Sequence, residues 1–206
     1  MSDVDTQIAG RKTADDWHTF RASLVIRGDR WREAFDEYFR TRIDLRYLKP
    51  IKLLQDHGTF LGEGFSILAL QCTLVEFLES TVQGINYRYS RPGEKLGLHE
   101  YSSSSDLFVR FLSTRDPFKQ DFDEVLARDF YSGVRCGLLH EARTKNGWTV
   151  WAKGPASNVI DRNKRIVYRD NFQSALEEFV ASYGVSLSTD ATLQEAFIRK
   201  FDSLCS

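Results

Sequence analysis

The stretch from Phe65 to Leu78 constrains this chain more than any other. Phe65, Ile67, Leu68, Leu70, Leu74, Val75, Phe77 and Leu78 place apolar residues on several sides of a helix, and such a helix has to be surrounded by others. The expectation is a mainly α protein with this segment as its central helix. Gln71, Glu76 and Glu79 interrupt the apolar run, and each needs a partner once it is buried. Gly62-Glu63-Gly64 leads into the helix. It is not a phosphate loop, because Ile67 stands where a third glycine belongs and no strand precedes it.

The remaining segments supply the surround. Residues 1–28 are polar and mixed in charge, anchored only by Trp17, Phe20 and Leu24-Val25-Ile26, and read as an N-terminal arm that docks late or stays loose. Residues 29–206 then form a single domain. Trp31, Phe35, Tyr38, Phe39 and Ile43 have helical spacing behind a cap at Asp29, and Pro50 predicts a kink or a new first turn. Gln83 to Glu100 is a long surface connection rich in glycine, tyrosine and charge, of a kind that often carries function. Serines 102–105 cap a helix with Leu107, Phe108, Phe111 and Leu112. After Asn146-Gly147 the pattern alternates over Trp148–Trp151 and again over Arg165–Arg169, which predicts a small antiparallel hairpin near 148–169. Asn171 caps an amphipathic helix, and a last helix carries Phe197 and Phe201.

A chain of 206 residues that is 42% hydrophobic can bury a full core, and 28 basic against 29 acidic residues give no global footprint for nucleic acid or an anionic membrane. Any basic surface is local. Cys72, Cys136 and Cys205 cannot all pair and form no C-x-x-C, which points to a reducing, cytoplasmic compartment. No apolar window of membrane-spanning length is expected, nor a metal or other cofactor. His18, His57 and His99 have no ligand spacing.

The stretch that carries chemistry is Asp129-Phe-Tyr-Ser-Gly-Val-Arg-Cys-Gly-Leu-Leu-His-Glu-Ala-Arg143. Asp129 is a candidate N-cap, and Phe130, Val134, Leu138 and Ala142 recur at helical spacing as the buried face. Arg135 and His140 fall off that face, roughly 140° apart around the helix, with Ser132, Cys136, Leu139 and Arg143 between them.

Arg135-Cys-Gly-Leu-Leu-His140 matches R-x4-H, and the longer string Phe130 to Trp148 resembles an uncharacterised group of prokaryotic proteins in the HEPN superfamily (higher eukaryotes and prokaryotes nucleotide-binding). The resemblance covers about residues 30–146. It implies a HEPN-like helical bundle, to which the hairpin and C-terminal helices are additions. It also implies a metal-independent ribonuclease working as a homodimer in which two motifs face each other, in defence or toxin-like growth control, with an antitoxin or other protein as partner. The residue after the arginine, often polar in active members, is Cys136 here. Arg135 and His140 are the catalytic candidates, Glu76 and Glu79 are candidates to orient them, and Ser132, Cys136 and Leu139 are the expected dimer seam.

Chemistry supports these roles independently. Attack by the RNA 2′-hydroxyl needs a proton acceptor, a proton donor for the leaving 5′-oxygen and positive charge on the phosphorane-like transition state. Imidazole titrates near neutrality, and guanidinium offers a permanent bidentate fork to phosphate. Arg143, Lys145, Trp148 and Trp151, followed by Lys153, Arg162, Lys164, Arg165 and Arg169, are candidates to bind RNA. The alternatives are an Arg135 tied to Glu76 or Glu79 in a structural ion pair, tryptophans packed on the bundle, and a catalytically silent HEPN-like module for dimerisation and nucleotide or protein binding.

Overall fold

The computed structural model describes residues 6–59, 61–91 and 93–206. The protein is mainly helical, with 61% helix and 9% strand in small sheets. The chain divides into two compact units, residues 1–48, 80–102 and 182–206 in one and residues 49–79 and 103–181 in the other. This division falls elsewhere than the expected boundary between residues 28 and 29.

In the first unit the residues after 5 are folded, contrary to a loose arm. Gln7–Ala9 pairs antiparallel with Lys12–Thr13, and helix Ala14–Arg21 starts in a capping box in which Asp16 N donates to Thr13 Oγ1 at 3.2 Å and Thr13 N donates to Asp16 Oδ2 at 2.8 Å. These bonds hold the Asp16 carboxyl below its ordinary range. Trp17 is fully buried against Tyr38, Phe197 and Phe201, and its Nε1 donates to Asp202 at 2.8 Å. One large indole and its hydrogen bond anchor a segment whose composition is otherwise polar.

Residues 31–57 form a helical run with wide π turns at Phe35–Arg40 and Asp44–Leu48. Arg30 rather than Asp29 stands at its start, with no side-chain cap. Pro50 falls in the first turn of Lys49–His57, as the new-first-turn alternative requires. The unit closes with helix Ala191–Leu204, capped by Asp190 Oδ1, which accepts from Thr192 N at 2.8 Å.

The second unit is built on the greater part of helix Glu63–Gln83, the expected central helix. At 21 residues it is long and apolar enough to cross a membrane by length and composition, contrary to the expectation, although 56% of the relevant window is buried inside the protein. Its polar interruptions find partners, although the buried Gln71 Oε1 accepts no hydrogen bond. Gln71 Nε2 donates to Arg169 O at 2.8 Å. Glu79, fully buried, accepts from Arg110 Nε at 3.1 Å and from Arg115 Nε and Nη2 at 2.9 Å each. Around this helix Phe108, Phe111, Phe118, Phe130 and Phe172 form an aromatic core.

The expected two-stranded hairpin is a three-stranded mixed sheet. Thr149–Trp151 runs parallel to Ile166–Tyr168, and Ile160–Asp161 pairs antiparallel with that same strand. Ile160–Asp161, two residues long, carries no period of its own in the sequence, so alternation alone shows only the runs 148–151 and 165–169. Asn171 does not cap a helix that starts at Arg169. It donates from Nδ2 to Ala156 O and Asn158 O at 3.1 and 2.8 Å, tying down the connecting loop.

Candidate functional site

Arg135 and His140 lie on one continuous helix of three stretches, Glu124–Phe130, a wide π turn Tyr131–Cys136, and Gly137–Glu141. Its cap is Asp123, whose Oδ1 accepts from Leu126 N at 2.8 Å. That bond, with Arg162 close by, holds the Asp123 carboxyl below its ordinary range. Asp129, the expected cap, lies inside the helix. It accepts from Trp148 Nε1 at 3.0 Å and Asn146 Nδ2 at 3.2 Å, and pairs with Arg165 at 3.3 Å. It thus fastens the segment after the helix back onto it.

Two glycines make that fastening possible. A Cβ on Gly133 would sit 2.7 Å from Trp148 Cδ1, and one on Gly137 would sit 2.4 Å from Arg143 O. The chain turns back at Ala142, which takes the left-handed conformation with φ 52°, and Lys145 N donates to Gly133 O at 2.7 Å. A π turn leaves a carbonyl without its usual i+4 donor, and Lys145 on the returning chain fills that vacancy. The Gly133-x3-Gly137 spacing was the signal for this close approach in the sequence. Gly137→Ala is therefore expected to destabilise the protein by about 1–3 kcal/mol in urea unfolding, whereas alanine replacing an unconstrained helical glycine would stabilise by about 1 kcal/mol; a stabilised variant would show that the turn does not depend on Gly137.

Arg135 is in the π turn, and its side chain is 19% exposed. The guanidinium lies over the Tyr131 ring at 5.3 Å and pairs with Glu76 Oε2 at 3.7 Å. That distance is beyond a hydrogen bond, so the pair restrains the guanidinium electrostatically while its N–H donors remain uncommitted among the described residues. Glu76 is itself held by Ser104, whose Oγ donates to Oε1 at 2.8 Å. Burial raises the Tyr131 phenol above its ordinary value despite the neighbouring guanidinium. Burial likewise pushes the Cys72 thiol, also close to Arg135, up to about 12.

Of the two carboxylates expected near the pair, the structure brings Glu76 to Arg135 and commits Glu79 to Arg110 and Arg115. His140, in the last turn of the helix, is exposed. Between the two, Ser132 is exposed, Cys136 half-buried and Leu139 49% exposed, so none of the described residues closes over the arc. The role of Tyr131 was not read from the sequence, where it looked like one more aromatic residue.

The candidate RNA-binding residues are less available. Trp148 is 2% exposed and edge-on to Phe130 at 5.0 Å, which leaves no ring face for a base. The reason is local: Asp129 takes its N–H and the two glycines admit its ring. Arg143 and Lys145 pair with Glu141 at 2.9 and 2.8 Å, and both hold the Glu141 carboxyl below its ordinary range. Arg162, Lys164, Arg165 and Arg169 face Asp123, Asp161, Asp129 and Glu63. Trp151 remains open, 55% exposed. Among the described residues no group of three His, Cys, Asp or Glu is placed to hold a metal ion.

Comparison with models of protein families, with curated proteins and with solved structures finds no match to this chain.

Proposed function

We propose that this chain is a HEPN-type endoribonuclease that cleaves RNA without a metal ion, working as a homodimer through the face that carries Arg135 and His140. The observation behind it is that one helix carries both an exposed imidazole and a guanidinium whose donors are uncommitted among the described residues, with the surface between them open. His140 takes the proton of the 2′-hydroxyl or returns one to the leaving 5′-oxygen, and Arg135 offers its fork to the phosphorane-like oxygens. One helix supplies one imidazole. A two-fold axis through Ser132, Cys136 and Leu139 brings a second Arg135/His140 pair alongside, so acid and base come from different copies. Glu76 and Tyr131 hold the guanidinium in place. The setting we propose is cytoplasmic defence or toxin-like growth control, with an antitoxin or similar protein as the restraining partner.

The Arg135–Glu76 ion pair also favours a second reading, in which the arginine is structural and the module is catalytically silent, serving dimerisation and nucleotide or protein binding. Incubation of the purified protein with single-stranded RNA in EDTA separates the two. Cleavage by the wild type that is lost in both Arg135→Ala and His140→Ala supports the nuclease; a wild type that leaves RNA intact across pH and salt supports the silent module.

Leu139→Glu tests the seam. Two glutamates brought together across a two-fold axis repel, so the variant is expected to sediment as a monomer at concentrations where the wild type is a dimer, with cleavage lost in parallel. A variant that remains dimeric would place the interface elsewhere.

A further inference from the structure

The connection from Tyr87 to His99, in the first unit, is exposed at its described residues apart from the half-buried Ser90. Asn86 and Tyr87 pair in parallel with Glu100 and Tyr101, and the ladder continues as Arg88 N donates to Tyr101 O at 2.9 Å. Glu100 accepts from Gly97 N at 2.7 Å and pairs with Arg88 at 3.0 Å, closing the loop on itself. The result presents unusual groups to solvent. Tyr87 is 56% exposed and Tyr89 73% exposed. The two open rings lie two residues apart in the chain. Tyr87 packs in a T-shaped contact with Tyr101, ring centres 5.7 Å apart.

The charge beside these rings is positive. Arg88 pairs with Glu100 at 3.0 Å and with Glu94 at 4.0 Å, and Glu94 also accepts from Arg91 N at 3.2 Å, while the side chains of Arg91 and Lys95 have no ion pair among the described residues, so residues 88–100 carry three cations against two carboxylates. Exposed aromatic rings beside the unpaired side chains of Arg91 and Lys95, on a segment with a net positive charge of one, suit a flexible polyanion whose units carry flat faces. A folded protein partner would need the complementary acidic patch, whereas a single-stranded nucleic acid supplies phosphates and bases at every step.

We infer that the Tyr87–His99 loop is a platform for single-stranded RNA, with bases stacked on Tyr87 and Tyr89 and phosphates held by Arg91 and Lys95. This rests on RNA as the ligand class of the proposed function, and it adds a contact surface separate from the Arg135/His140 helix.

The experiment measures binding of a fluorescent 2′-O-methyl RNA 12-mer, which 2′-hydroxyl attack cannot cleave, to the full-length protein by anisotropy. Tyr89→Ala is expected to weaken binding roughly tenfold, and Tyr89→Phe to restore it, since stacking needs the ring and not the hydroxyl. Arg91→Gln with Lys95→Gln is expected to reduce the slope of log affinity against log salt by about 1.4. Wild-type protein that does not bind the RNA, or loop variants that bind as the wild type does, overturn the inference. The two proposals fail separately: binding that depends on Tyr89 in a protein that never cleaves RNA keeps the platform and removes the nuclease, while cleavage with loop-independent binding does the reverse.

Discussion

Replacing His140 by alanine is expected to lower metal-independent RNA cleavage by at least about a hundredfold, the ordinary worth of a positioned proton-transfer group, with no change in melting temperature. The side chain is exposed and has no hydrogen bond or ion pair among the described residues, so its removal costs the fold nothing. Arg135→Ala is expected to have a similar effect on cleavage, through loss of charge on the transition state. It is less clean as a structural control, because the Tyr131 ring and the Glu76 carboxylate both face that guanidinium. Arg135→Lys separates charge from geometry. A lysine keeps the cation but not the planar fork, so activity between those of wild type and alanine is expected. Initial rates under single-turnover conditions check all three, and a His140→Ala protein that cleaves at the wild-type rate would remove His140 from the chemistry.

The largest effect on stability is expected far from His140, at Arg115. Glu79 is fully buried, and its carboxylate is held by the Arg115 fork at 2.9 Å and by Arg110 at 3.1 Å. The Arg110 side chain is 59% exposed and makes only one of these bonds, whereas that of Arg115 is 28% exposed and makes two. Arg115→Ala strips the better partner from a carboxylate that water cannot reach. Loss of one member of a buried pair costs about 3–5 kcal/mol, and urea unfolding followed by circular dichroism reads it directly. Because Arg115 bonds to Glu79 and not to the Arg135 group, the folded fraction is expected to cleave RNA normally. A loss below about 1 kcal/mol would mean that Glu79 relaxes to solvent or to another cation.

The sequence was most legible where periodicity and burial coincide. The Phe65–Leu78 run named the central helix, and Gln71, Glu76 and Glu79 were correctly marked as residues that need partners. Their partners were not legible, because Arg110, Arg115 and Arg135 are equally good cations until the helices are packed. The N-terminal segment misled for a related reason. Its anchor Trp17 bonds to Asp202, 185 residues away, and no local pattern reports so distant a contact. For Trp148 the sequence left both an open ring and packing on the bundle, because alternation gives a face but not what covers it; the ring is buried. Asp129 and the glycines at 133 and 137 do the covering, and only the glycine spacing left a trace in the sequence. Arg135 and His140 were legible as a motif, and Tyr131, four residues before Arg135, stands at the spacing that puts two side chains together on one helix face.

The most direct test of the proposed chemistry is the identity of the ends left on a defined single-stranded RNA cut by the wild type in EDTA. Attack by the 2′-hydroxyl with His140 in proton transfer leaves a 2′,3′-cyclic phosphate and a 5′-hydroxyl, and that pair is the expected result. A 5′-phosphate with a 3′-hydroxyl, cleavage that appears only when a divalent metal is restored, or RNA left intact would contradict it.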